Sequence, residues 1–299
     1  MRIQLLRLVF SFLLSAMALL SCNRAAAELT YPYYRFATPY LCLAKTCEDE
    51  GHWGSDLAIY SRYLWRGMQL SHGHPVLQPD LWLYYNGVKA MAWGNLDLVK
   101  YRFDQVNLYL DYSNDFDSYF LFSFGIAQYI FIRQKAIFVP KQCRNLLLKE
   151  QNGDNVSHCS RRRKQETELY LSIAAEDYLF LPALTVYREI GDLRGWAATL
   201  SAMYCIDQIC LCREHIPFNM RIEADISWRS CRYNRQYYGV NSNSLADANL
   251  IISFPFCFKG RWAIAPTIKG TTLVREKFRE ARPHNSAHIA YGISFSGAW

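Results

Sequence analysis

The chain has 299 residues, 51% of them apolar and 15% aromatic, with a formal charge of +7 and a mean hydropathy of -0.10. That is enough for one large domain or two small ones, and too polar for a helical membrane protein. Beyond the first two dozen residues no run of about 18 uncharged apolar residues occurs, so no transmembrane helix is expected.

The chain starts with Arg2 and Arg7 before an apolar run over 8–20, followed by Ala25-Ala26-Ala27. A basic start, an apolar stretch and an Ala-x-Ala site predict a secretory signal peptide over 1–27. Leu19-Leu20-Ser21-Cys22 also fits a lipobox, so lipidation of Cys22 stands as the alternative to cleavage after Ala27. Both imply export. Without Arg2, Arg7 and Arg24 the +7 falls to +4. Residues 28–53, rich in Tyr and Pro at their start, are expected to be a periplasmic or plug segment.

From 54 to 299 the apolar residues recur with a period of two, the mark of strands with one dry and one wet face. Twelve strands are predicted, over about 54–68, 76–86, 88–98, 104–112, 119–131, 166–175, 182–190, 195–205, 218–228, 245–255, 261–269 and 287–299. In the first, Leu57, Ile59, Tyr63 and Trp65 are expected outward. In the fourth, Val106, Leu108, Leu110 and Tyr112 alternate with Gln105, Asn107, Tyr109 and Asp111. In the ninth, Met220, Ile222, Ala224, Ile226 and Trp228 alternate with Arg221, Glu223, Asp225 and Ser227. The wet face carries charges in mid-strand, and the dry face carries rings near strand ends. That combination predicts a transmembrane antiparallel β-barrel, apolar toward lipid and polar within. An open sheet cannot span lipid, because its edges leave backbone groups unpaired.

The connections agree. With the termini periplasmic, the even-numbered turns, including Asn86-Gly87, 113–118, 176–181 and 256–260, are short, with 206–217 the longer one. The odd-numbered connections 133–165, 229–244 and 270–287 are long, as outer loops are. Asn-Gly is also the strongest short hairpin signal.

The stretch SRYLWRGMQLSHGHPVLQPDLWLYYNG resembles bacterial outer-membrane proteins of the Gcw_chp type. The matching positions are Ser61, Tyr63, Arg66, Gly67, Gln78 and Pro79. VYREIGDLRGW over 186–196 and the aromatic C-terminus are similar to that group too. The resemblance implies a barrel in the cell outer membrane and no established activity. Tyr291, Ile293, Phe295 and Trp299 look like the signal read by the barrel assembly machinery, and Trp299 also suits an interfacial anchor. Expected partners are therefore outer-membrane lipid, the assembly machinery and small solutes. No nucleic acid is expected, because Arg161-Arg162-Arg163-Lys164 reads as a solvated loop.

The inward charges expected to line the lumen are Arg62, Arg66, Asp80, Lys89, Asp97, Asp111, Glu168, Arg221, Glu223, Asp225 and Asp247, with Glu189 and Lys269 beside them. Both signs are interleaved with Tyr60, Trp82, Tyr84, Trp93, Tyr109, Tyr170 and Tyr187. So many bulky inward side chains predict a narrow channel for small solutes or a structural barrel rather than a general porin. Of the ten cysteines, Cys143 and Cys159 share one outer loop and are the disulfide candidates, with Cys231 left as an odd thiol outside. Cys205, Cys210 and Cys212 match no common zinc spacing, and His72, His74, His158 and His284 all fall in outer loops, where they would meet above the barrel mouth to bind a metal only if the loops fold inward. No metal, cofactor or catalytic residue is assigned. The class alternative is an outer-membrane enzyme acting on lipid or peptide at the barrel rim, which would need a nucleophile, a base and an orienter at one level. His288 lies too far from Ser294 along its strand, about 20 Å at roughly 3.3 Å per residue, to serve.

Overall fold

The computed structural model describes residues 52–117, 120–132, 165–175, 178, 180–191, 194–210, 217–258, 262–282 and 287–299. Among them, twelve long strands form one closed antiparallel ring. They are β1 (His52–Tyr60), β2 (Val76–Tyr85), β3 (Val88–Asp97), β4 (Arg102–Asp117), β5 (Phe120–Phe131) and β6 (Gln165–Ala175). They continue as β7 (Ala183–Glu189), β8 (Trp196–Cys210), β9 (Pro217–Arg229), β10 (Ser244–Ser253), β11 (Trp262–Leu273) and β12 (Ala287–Ala298). Each pairs with its neighbours in sequence, and β12 returns to β1 with Asp56 opposite Ser296 and Leu57 opposite Phe295. A short extra strand, Phe256–Phe258, pairs with the start of β11.

The period of two places side chains as expected. Leu108, Leu110, Leu200, Leu171 and Tyr291 are exposed on the outside, while Gln105, Asn107, Glu168, Asp80 and Lys89 are buried within. An apolar exterior of this extent has no place in water. Around a polar interior and a ring without edges, it is the architecture of an outer-membrane barrel. Trp53, Trp262 and Trp299 cluster on the seam, with Trp299 stacked on Trp53 at 4.5 Å and edge-on to Trp262 at 4.9 Å. The Trp53 and Trp299 backbones exchange N–H···O bonds of 2.9 and 2.8 Å. The turn at Asn86-Gly87 has positive φ at both residues, 46° and 79°, as a type I′ hairpin requires.

One end of the ring carries the termini and the short turns; the other carries the long connections and is called here the loop end. The structure corrects the first strand. It begins at His52 and stops at Tyr60, where the Ser61 hydroxyl accepts the Tyr291 N–H and ends the ladder. The chain then folds inward as a miniature hairpin, Leu64–Trp65 against Met68–Gln69, turned by Arg66 and Gly67. Tyr63 and Trp65, expected to face lipid, lie inside the barrel instead. Two short helices also interrupt the all-β expectation, α1 (Cys231–Tyr238) and α2 (Glu276–Ala281), both in loop-end connections.

Candidate functional site

Inside the ring, at the loop end, these inserted pieces pack together into one buried cluster. The hairpin is held at its base by the Tyr63 N–H donating to the Ser71 hydroxyl at 2.9 Å and by Leu70 N–H donating to the Tyr63 carbonyl. Both tip residues have positive φ, 50° for Arg66 and 78° for Gly67. Gly67 is fitted closely, because a β-carbon there would stand 2.7 Å from the Asp247 β-carbon.

Arg66 is the centre of the plug. Its guanidinium donates to both oxygens of Glu168 on β6, at 3.0 and 2.7 Å. Rings surround it: Trp65 at 4.4 Å, Tyr129 at 5.2 Å, Tyr233 at 5.3 Å and Tyr237 at 5.6 Å. The Tyr233 hydroxyl also contacts Arg66 and Glu168, and the Tyr237 hydroxyl donates to Glu166.

The second wedge is α1. Its Tyr233, Tyr237 and Tyr238 are fully enclosed, as is Phe278 of α2, whose ring meets that of Tyr238. Gly239 ends the helix in the left-handed conformation, with its N–H returned to the Arg235 carbonyl, a common C-terminal cap. Asn234 ties the loop's two ends together by donating to the carbonyls of Arg229 and Ser242. The Tyr238 hydroxyl bridges the two wedges, 2.9 Å from the Arg66 carbonyl and 3.2 Å from Asp247. Burial pushes the hydroxyls of Tyr233 and Tyr238 well above the usual phenol range, so both remain donors.

The expected inward residues fall into groups. Arg229, which the sequence reading left out, pairs with Asp247 at 2.7 Å. Arg221 pairs with Glu223 at 2.9 Å, and Asn249 donates to Asp225. Asp80 accepts the Asp56 N–H at 3.1 Å. Lys89 stands opposite Asp111 across β3 and β4, and Lys269 lies 3.9 Å above the Tyr60 ring. Glu189 is spent on the Gly191 and Arg194 N–H groups at a turn. Arg62 and Arg66 enter from the hairpin rather than from a wall strand; Arg62 contacts Gln69. Asp97 caps the β3–β4 connection, accepting from His74, Lys100 and two backbone N–H groups. Along the wall the acids Asp56, Asp80, Asp111, Glu166, Glu168, Glu189, Glu223, Asp225 and Asp247 outnumber Lys89, Arg221, Arg229 and Lys269.

On the outside, Tyr291, Ile293 and Phe295 are exposed in a row along β12, with Trp299 on the seam. Cys231 is a free thiol at the start of α1. Cys143 and Cys159, the expected disulfide pair, lie outside the described residues, as do 1–51, His158, His284 and the basic run 161–164. Tyr233, Tyr237, Tyr238 and Phe278 were missed. A signal existed: Tyr233 and Tyr237 are four residues apart and Gly239 follows, which is a helical face with a stop.

No protein-family model matches the chain, and no curated protein matches it. Among solved structures, a KdgM porin aligns over 82% of this chain and 98% of its own, at 10% identity and a TM-score of 0.43. A NanC porin aligns over 81% and 98%, at 12% identity and a TM-score of 0.43. LpxR from Salmonella typhimurium aligns over 82% and 99%, at 6% identity and a TM-score of 0.42.

Proposed function

We propose that this barrel is a narrow channel for small solutes, shut at its loop end in this structure by the hairpin and α1. One observation carries the reading: the lumen holds connecting segments there, packed onto rings of the wall, rather than wall side chains alone. A barrel built only as a scaffold can fill its centre from its own inward positions. Here the wall keeps a polar face rich in carboxyl groups, and the obstruction is attached to it through the Arg66–Glu168 pair, the Tyr237 and Tyr238 hydroxyls on Glu166 and Asp247, and an apolar cluster around Met68. Withdrawal of the hairpin would break no rung of the twelve-stranded ring.

The exterior is read as lipid-facing throughout. The row Tyr291, Ile293, Phe295 and Trp299 is read as the element engaged by the assembly machinery. The enzyme alternative has one fragment in its favour, the His74–Asp97 contact at 2.9 Å, but no hydroxyl or thiol nucleophile contacts that imidazole among the described residues.

The test is single-channel recording in planar bilayers. The wild-type barrel should give small or infrequent steps, and Arg66→Ala should give larger or longer ones. Silence of both proteins, with the barrel folded, would make it a structural barrel.

A further inference from the structure

Arg66 occupies its position in an unusual way. The residue is not on a wall strand; it is at the tip of a two-residue turn, at φ 50°. Asn, Asp or Gly suits such a position, and a residue with a longer side chain is strained there. Asn86, at the corresponding position of the β2–β3 turn, is the ordinary solution. A strained residue held by its surroundings points to what its side chain does.

That side chain is received as a ligand would be. Glu168, itself fully buried, offers both oxygens to the two terminal nitrogens, which is the fork geometry that a guanidinium fits and an ammonium does not. Tyr129, Tyr233 and Tyr237 present ring faces between 5.2 and 5.6 Å from the guanidinium carbon, within the range of cation–π attraction. None of these four residues belongs to the hairpin. Removal of the hairpin would leave this carboxylate without its bidentate partner, the neighbouring Arg229 acting on it only at longer range while paired with Asp247. An uncompensated buried charge is strongly unfavourable, and the acid-rich wall beyond it does not supply the missing charge.

We infer that Glu168, Tyr129, Tyr233 and Tyr237 form a receptor site for a guanidinium group on a small solute, and that Arg66 is its tethered occupant in the closed barrel. This deepens the channel reading by naming the class of solute: one that competes with Arg66 and so releases the hairpin, the first of the two wedges. The cage itself is independent of whether current flows.

The experiment is chemical rescue of the full chain carrying Arg66→Gly, which also relieves the backbone strain. Thermal unfolding of the barrel is followed with methylguanidinium, with methylammonium and with sodium chloride at matched ionic strength. A saturable rise in melting temperature with methylguanidinium alone is expected, and it should vanish when Glu168→Gln is added. Should Arg66→Gly refold poorly, the refolded fraction is read instead, and it should rise with methylguanidinium only. No rescue, equal rescue by methylammonium or sodium, or rescue that survives Glu168→Gln would each overturn the site. Rescue in a barrel that never conducts would sink the channel and leave the site standing. Conductance without rescue would do the reverse.

Discussion

The wall and the plug of this barrel are held by different physics. Each wall strand is fixed by two ladders and by a period of two that sorts lipid-facing from inward side chains, so its placement is repeated across twelve neighbours. The plug has one ion pair, a cluster of rings and a handful of hydroxyl contacts. Errors in the wall are therefore penalised by lipid, and errors in the plug by unpaired charge. The same substitution should then carry different costs on the two sides of the divide.

The largest effect is expected at the joint. Glu168→Ala leaves Arg66 buried without a counter-charge, a loss of about 3–5 kcal/mol in barrel stability. Asp104→Ala, also on the wall but in a more exposed pair with Arg102, should cost less than about 1 kcal/mol. Equal values from urea titrations in lipid vesicles would erase the distinction between joint and wall.

Next comes the lipid face. Leu200→Arg places a charge outward in mid-strand and should cost about 2–4 kcal/mol if it lies near the midplane. Ser201→Arg, inward and opposite Asp225, should cost far less. Asn107 is a poorer inward control, because it is buried in a ladder of hydrogen bonds from Gln105 to Tyr109.

A smaller loss, about 1–2 kcal/mol from the left-handed backbone alone, is expected for Gly67→Ala, with more from its clash against Asp247 and Leu273. Its readout is distinctive: the ring should stay heat-resistant on unboiled gels while the conductance steps of the open state become more frequent. Loss of the ring itself would show that hairpin and wall fold as one unit.

The smallest effect is on stability not at all. Cys231, a partly exposed thiol at the start of α1, should react with a membrane-impermeant reagent on intact cells. Its labelling should quicken in Glu168→Ala, if α1 loosens with the plug. Protection of Cys231 until the outer membrane is opened would reverse the orientation assigned to the loop end.

The wall was legible because lipid and lumen impose opposite demands on alternate residues, and Leu108 beside Asn107 records both. The turn at Asn86-Gly87 was legible for a local reason, its tolerance of positive φ. The plug was not, because Tyr63 and Trp65 continue the alternation of β1 in sequence while the chain has already left the ladder at Ser61. Nothing local distinguishes a ring that faces lipid from one that faces another ring. The Arg66-Gly67 pair carried a weaker turn signal than Asn-Gly, and a reading of it as a hairpin would have ended the first strand in the right place. The tyrosines of α1 were hidden for a different reason: a polar, arginine-bearing loop looks solvated until its helical spacing is counted.

The seam between β1 and β12 has a consequence for how the chain reaches this state. Every other rung joins strands that are neighbours in sequence, and such hairpins form with little loss of chain entropy. The pairing of Trp53 with Trp299 joins residues from opposite ends of the barrel sequence, the greatest separation of any rung, so contact order places ring closure late in folding. Until it happens β1 and β12 present two open edges, each able to recruit a strand from another chain. The stacked tryptophans at that seam would then set how long the edges stay open, and with it how much of the protein is lost to aggregation before closure.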